Sequence, residues 1–377
     1  MAISFERMNK IIRLDPLQGV AIVQAGVRLQ DLIDAAGEYG MRPGVDLPSR
    51  GSCTMGGMAS TNAGGIQAIR YGMMRDNILG LKAVLADGEI LDLTNVLVKN
   101  NAGYDLKHLF IGSEGTLGLI TELVVKLHPA PLSKETALIG CPDVECLADL
   151  LKLARARLGS QLLSFEAMWP TYLRAIAGPS DAGLDLLRHD HAVFGILETG
   201  NWQVEQSTST LQALLEEAFE AGLVTDAVLA QSEGQRAAIW RLREDSDVIA
   251  ARHEACLTYD IGLELADIPA YADKLRQRFR SEFPSVEIYL FGHMGDGNLH
   301  VMLGGSAQDI ACRAPLDEAV YGSLTAFSNT TVSAEHGIGI EKRPFLHLSR
   351  TPDAIKTMRF LKRAFDPQGT LNPGKLL

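Results

Sequence analysis

Positive charge is in short supply: 35 Lys and Arg face 46 Asp and Glu, a net −11 over 377 residues. That balance disfavours nucleic acid as a partner, although one well-placed arginine can still hold an anionic substrate locally. Apolar residues nowhere run unbroken for the ~18 positions of a membrane span, so no transmembrane segment is expected. The opening MAISFERMNKIIRLD scatters charge where a leader would be apolar, which argues against a signal peptide. Cysteine is sparse. Cys53, Cys141, Cys146, Cys256 and Cys312 form no CxxC, and an odd, scattered set fits reduced thiols in a cytoplasmic protein. Also missing is a GxGxxG opening a helix, so a Rossmann NAD site is not supported. What remains is 46% hydrophobic and 21% charged, a soluble globular composition long enough for two domains or one large one.

Two polar, glycine-rich stretches answer each other, FGHMGDGNLH at 291–300 and SAEHGIGIEK at 333–342. VEIYLFGH alternates apolar Val286, Ile288 and Leu290 as a strand does, and LHVML resumes as a second strand. A hairpin of this kind puts His293 and His300 at one end of a sheet. Gly295 and Gly297 suit positive-φ turn positions, and Asp296 and Asn298 can hydrogen-bond the turn backbone. Neutral imidazole is the commonest metal ligand and a carboxylate often completes the set. Glu335 is the candidate, at the end of the strand-like run NTTVSAEH and before the turn that Gly337 and Gly339 imply. A His pair at a turn is equally an ordinary structural feature, and nine histidines make a chance pair unsurprising. On the residues alone both readings stand.

Taken in order, IIRLD and GVAIVQAGV read as strands, and Leu29, Leu32, Ile33 and Ala36 form a helical stripe ending at Gly40. The run from Pro43 to Arg70 is Gly, Ala, Ser, Thr and Asn with little to build a core. Its backbone is suited to close approach by a flat or anionic group such as a dinucleotide phosphate; a plain linker is the other reading. LGLKAVLADGEIL is a hairpin turning at Asp87-Gly88, and the GSEGTLG stretch from Gly112 to Gly118 leads into a β-branched strand. HPAPLSKE, around 128–135, marks the domain boundary. Beyond it come a helix (VECLADLLKLARARLG), strands (LLSFEAMW, AVFGILETG), a helix (STSTLQALLEEAFEAG) and a strand (DAVLAQS). A second round follows: YDIGLEL, a helix from Ile268 to Phe283, the histidine hairpin, a helix from Leu316 to Ser328, and VSAEH. Antiparallel strands with helices on one face predict an α+β sandwich. AIWRLREDSDVIAARHEA reads as one helix, whose Arg243 either reaches the sheet or is a solvated surface residue. The last helix stops at Asp366-Pro367.

Six segments together resemble one family. PSRGSCTMGGMASTNAGG, RYGMMRDNILGLKAVLADGEIL, GYDLKHLFIGSEGTLGLIT, FGHMGDGNLH, SAEHGIGIEKR and FDPQGTLNPGK occur in the family's order across nearly the whole chain. They resemble the FAD-dependent 2-hydroxyacid dehydrogenases of the vanillyl-alcohol-oxidase-type (PCMH) flavoproteins. That group includes D-lactate dehydrogenases, glycolate oxidase large subunits and D-2-hydroxyglutarate dehydrogenases. The resemblance implies an α+β chain with an FAD-binding domain at 1–130, lacking the family's N-terminal pyrophosphate-cradling part. A ferredoxin-like FAD-linked oxidase C-terminal cap follows at 131–377, its tail 360–377 returning to the flavin. By position it implies FAD contacts at Pro48, Ser49, Gly56, Gly57, Asn62, Gly64 and Gly65, at Gly112, Glu114, Gly115, Gly118 and Ile120, and at Asn372. It further implies a divalent metal, zinc or manganese, on His293, His300 and Glu335, with His336 as catalytic base and Arg243 on the substrate carboxylate. D-2-hydroxyglutarate enzymes carry a lysine and an asparagine where this chain has Thr258 and Met302, which favours a lactate- or glycolate-like acid. The electron acceptor is not identified, and a membrane-peripheral acceptor is compatible. The alternative is an incomplete or non-catalytic flavoprotein subunit that needs a partner subunit to bind FAD.

Overall fold

The computed structural model describes residues 2–178, 190–203 and 209–377. Two units form, Met1–Ala130 with Glu335–Leu377, and Pro131–Ala334. Residues 335–377 thus belong to the first unit.

The first unit is built on an antiparallel sheet of β1 (Ile11–Asp15), β2 (Val20–Gln24), β3 (Met41–Pro43), β4 (Ile78–Val84), β5 (Ile90–Leu93) and β6 (Leu119–Pro129). Its order is β1-β2-β6-β4-β5, with β3 also on β6. The long β-branched run of β6 makes it the spine. The helix Leu29–Gly37 buries Leu29, Leu32 and Ala36 on the same core, and the chain turns on at Gly40. Gly88, at φ 91°, makes the expected β4–β5 turn. The glycine-rich run is no linker. Thr54 caps a short helix, Met55–Thr61, through the amide of Gly57, and Met55, Met58 and Ala59 join the core. The last helix, Pro352–Phe365, ends at Asp366 as its Asp-Pro signal predicts.

The second unit is one antiparallel sheet of β7 (Ser133–Cys141), β8 (Leu162–Met168), β9 (Val193–Asn201), β10 (Asp226–Leu229), β11 (Ala255–Gly262), β12 (Glu287–His293) and β13 (Asn298–Gly305). The order is β10-β7-β9-β8-β12-β13-β11. Period-two alternation gives it two unlike faces. One carries Leu197, Phe165, Leu290 and Val301, and a Cβ added at Gly195 on this face would lie 3.0 Å from Leu147 of the helix Val144–Leu158. The other carries Glu198, Glu166, His293, His300 and Asp260. Trp240 of the helix Glu233–Glu244 lies on that polar face, donating to Glu198 at 2.6 Å. Helices thus cover both faces rather than one.

Other expectations shift as well. NTTVSAEH is not a strand: only Thr331 pairs, with Gly262, because the chain turns away at once. The predicted single helix around Arg243 breaks at Asp245 and resumes at Asp247–Ala250. The Leu316–Ser328 helix runs instead from Arg313 to Tyr321 and tightens to a 3-10 turn. The helix expected from Ser207 is seen as Thr210–Glu220, residues 207 and 208 lying outside the described residues. No helix among the described residues is long and apolar enough to cross a membrane.

Candidate functional site

In the first unit, the glycine-rich segment, the GSEGTLG loop, the SAEHGIG turn and the C-terminal tail are joined by hydrogen bonds. The amide of Gly65 donates to Glu335 Oε1 at 2.5 Å. Glu114, in the left-handed region at φ 53°, accepts at its carboxylate from the amides of Ile338 (2.6 Å) and Gly339 (2.8 Å). Asn372 Nδ2 donates to the Glu114 carbonyl, and the amides of Glu114 and Gly112 reach back to Ser60 and Ala59. Glu114 thus clamps the turn that carries Glu335 and an exposed His336. Gly65 has no side-chain alternative: it sits at φ +105°, and an added Cβ would lie 2.1 Å from the Asp46 carbonyl.

The remaining FAD candidates of this unit take other places. Asn62 is the left-handed C-cap of the Met55–Thr61 helix and accepts from the Arg75 amide at 2.8 Å. Gly56 and Gly118 abut Ala25 and Phe110, and Ile120 is a core residue of β6. Pro48, Ser49 and Gly57 are exposed. Sequence reasoning missed Gln67, which is 1% exposed with neither carboxamide atom on a protein partner. An unsatisfied buried amide two residues beyond Gly65, together with the open backbone at Gly115 where a Cβ would meet nothing within 4 Å, fits a polar, flat ligand.

In the second unit, the histidine hairpin forms as predicted. Phe291 pairs with His300 and His293 with Asn298, which sets both imidazoles on one face with ring centroids 5.2 Å apart. Of the two turn glycines only Gly297 has positive φ, at 80°; Gly295 instead donates its amide to the Phe165 carbonyl. Its own carbonyl accepts from Arg155 at 2.7 Å, which pins the turn. Below the hairpin, Asn298 donates to Asp260 (2.8 Å), whose other oxygen takes the Ser333 hydroxyl.

Arg243 does reach the sheet, at 6% exposure. Its Nε donates to Glu166 Oε2 at 2.7 Å, and its guanidinium lies 4.9 Å from the centre of the Phe291 ring. The other Glu166 oxygen meets His293 Nδ1 at 2.8 Å. Tyr172 stacks on Phe291 at 4.1 Å and donates to the Arg243 carbonyl at 2.8 Å, fixing the helix end. Glu166 was not singled out in the sequence, though a lone carboxylate inside the apolar run LLSFEAMW was the available signal. Further along the same face, Glu198 is also buried. Burial pushes its pKa up, but Lys134, Trp240, Thr136 and Arg236 outweigh this and hold it below the ordinary value.

Comparison with known proteins agrees with this architecture. Residues 130–376 match the model of FAD linked oxidases, C-terminal domain, and residues 1–94 match that of an FAD binding domain. The chain is 37% identical over 370 residues to mitochondrial D-2-hydroxyglutarate dehydrogenase of Bos taurus, covering 98% of itself and 67% of that protein. It is 35% identical to D-2-hydroxyglutarate dehydrogenase of Xanthomonas citri pv. viticola, covering all of itself and 79% of that protein. Among solved structures it shares the fold of p-cresol methylhydroxylase with substrate bound, at TM-score 0.75 and 14% identity, covering 98% of this chain and 78% of that one. An alkyldihydroxyacetonephosphate synthase is similar at TM-score 0.72 and 20% identity, with 98% and 67% covered. Two units of this build, with these domain matches, define a flavin-dependent oxidoreductase. The chain belongs to the FAD-linked oxidases, in their branch of FAD-dependent 2-hydroxyacid dehydrogenases.

Proposed function

We propose that the chain oxidises a small D-2-hydroxy acid to the 2-oxo acid. The observation that carries this is the buried Arg243–Glu166–His293 chain beside His300, one cation and two imidazoles on a single polar face. FAD, when bound, supplies the hydride acceptor, and a divalent cation supplies a Lewis acid for the substrate oxygen. By the resemblance, His293, His300 and Glu335 are the residues that would hold the cation, a donor set suited to zinc or manganese. Within the second unit, Thr331 bridges to Gly262 and the Ser333 hydroxyl donates to Asp260.

The residues then divide the work. Arg243, its Nε committed to Glu166, takes the substrate carboxylate with its terminal amino groups. His336 accepts the proton of the 2-hydroxyl. Two pairs along from His300 and Asp260, on the same face, Thr258 faces Met302 across β11 and β13. A hydroxyl and a thioether stand there, and neither pairs with a second carboxylate, which supports a lactate- or glycolate-like acid over a dicarboxylate. The relatives named for D-2-hydroxyglutarate favour the larger acid, so the substrate panel must contain both.

The test is anaerobic mixing of flavin-loaded protein with D-lactate, glycolate and D-2-hydroxyglutarate, followed at the flavin absorbance band. Bleaching by the monocarboxylates at lower concentration than by D-2-hydroxyglutarate is expected. Preference for the dicarboxylate overturns the substrate assignment, and no bleaching by any of the three overturns the reaction.

A further inference from the structure

We infer that Glu166 is a positioning residue that sets the tautomer of His293 and the pose of Arg243 at once. The metal half of this inference rests on the function proposed above. Glu166 lies in the middle of β8, and the β12–β8 register, Phe291 opposite Met168 and Gly292 opposite Ala167, runs on to bring it to His293. Its side chain is 1% exposed, so its position is dictated by the sheet and not by solvent.

A carboxylate has only lone pairs to offer. His293 Nδ1, 2.8 Å from Oε1, must therefore carry the ring proton and donate it. That leaves Nε2 with the lone pair a cation needs, and a hydrogen-bonded ring is also a better donor to metal. Arg243 Nε, 2.7 Å from Oε2, needs the same kind of acceptor. One carboxylate thus serves two donors, and its charge balances the buried guanidinium. Glutamine cannot do this. Its amide has one acceptor, so either His293 loses its acceptor or Arg243 faces an N–H.

The experiment compares wild type, Glu166→Gln and Glu166→Asp in the full-length chain, with His300→Ala as the control for the cation reading. In metal-free protein labelled with 15N-histidine, long-range proton–nitrogen spectra report the ring tautomer. Wild type is expected to show His293 protonated at Nδ1, and Glu166→Gln to shift it toward Nε2–H. Zn2+ affinity, read by chelator competition, should fall about 10–100-fold in Glu166→Gln. Glu166→Asp keeps two acceptor oxygens on a shorter arm and should fall between; it also serves if the glutamine variant does not fold. An unchanged His293 tautomer in both variants, or Zn2+ affinity within twofold of wild type, overturns the inference. Wild type that binds Zn2+ no better than His300→Ala overturns the cation reading instead, and the tautomer comparison still decides the role of Glu166.

Discussion

His128 shows how a single side chain can be committed by its neighbours. Both amide protons of Asn77 are used, on the carbonyls of Tyr71 and Met73, so its Oδ1 faces His128 Nε2 as an acceptor at 2.9 Å. Burial, followed by the charges of Lys126, Arg70 and Arg42, lowers the His128 pKa from 6.5 to about 4. Between those values the unfolded chain binds the proton and the folded chain does not, so stability rises with pH there. It is lost as pH falls from about 6.5 toward about 4. A His128→Gln variant keeps an N–H for Asn77 and removes the titration. Melting temperatures measured across that window should fall more steeply for wild type than for the variant; parallel curves would reject the assignment. Gly65 makes the same point without titration, since its backbone is fixed by what surrounds it.

At the scale of strands and helices, legibility followed the strength of the periodic pattern. The histidine hairpin was plain because alternation runs through both strands and polar turn residues separate them. NTTVSAEH misled because Thr330, Thr331 and Val332 have the composition of a strand but no partner edge beyond Gly262. The carboxylates of β8 and β9 were missed for a related reason: a buried acid is recognised by its partners, and those come from a helix far along the chain. Glu198 accepts from Thr136 on β7 and from Trp240, and pairs with Lys134 and Arg236. It ties the Glu233–Glu244 helix to the sheet. Replacing it with alanine strands the Trp240 and Thr136 donors and unbalances two cations, a loss of about 3 kcal/mol. Chemical denaturation should show that loss for Glu198→Ala, whereas Glu217→Ala, which removes the exposed partner of Arg157, should leave the midpoint unmoved. Equal effects would mean that the buried network contributes no more than a surface pair.

For the whole molecule, the uneven feature is continuity. The second unit is a single run, 131–334, while the first is assembled from both ends of the chain. The returning segment is integral to that first unit. Phe365 packs edge-on against Phe110 with centroids 5.9 Å apart, and Lys362 Nζ donates to the carbonyls of Thr116 and Leu371, each at 2.8 Å. Asp366, 2% exposed, gathers Lys362, the amides of Thr370 and Leu371, and the Thr370 hydroxyl. Burial alone would raise the Asp366 pKa, but those donors hold it well below the ordinary carboxylate range. Removing the tail would expose apolar core and leave Glu114 without the two amides it clamps. Residues 131–334 lose none of their own sheet pairings by such a cut, because every strand of that sheet lies within the run. A chain ending at 334 should therefore keep slow amide exchange in β7, β9 and β13 and lose it in β4 and β6. Excision of 131–334 as a fragment should give a cooperative melt with the same protected amides. Protection that persists in β4 and β6 without the tail would show that the first unit closes its core from the N-terminal segment alone.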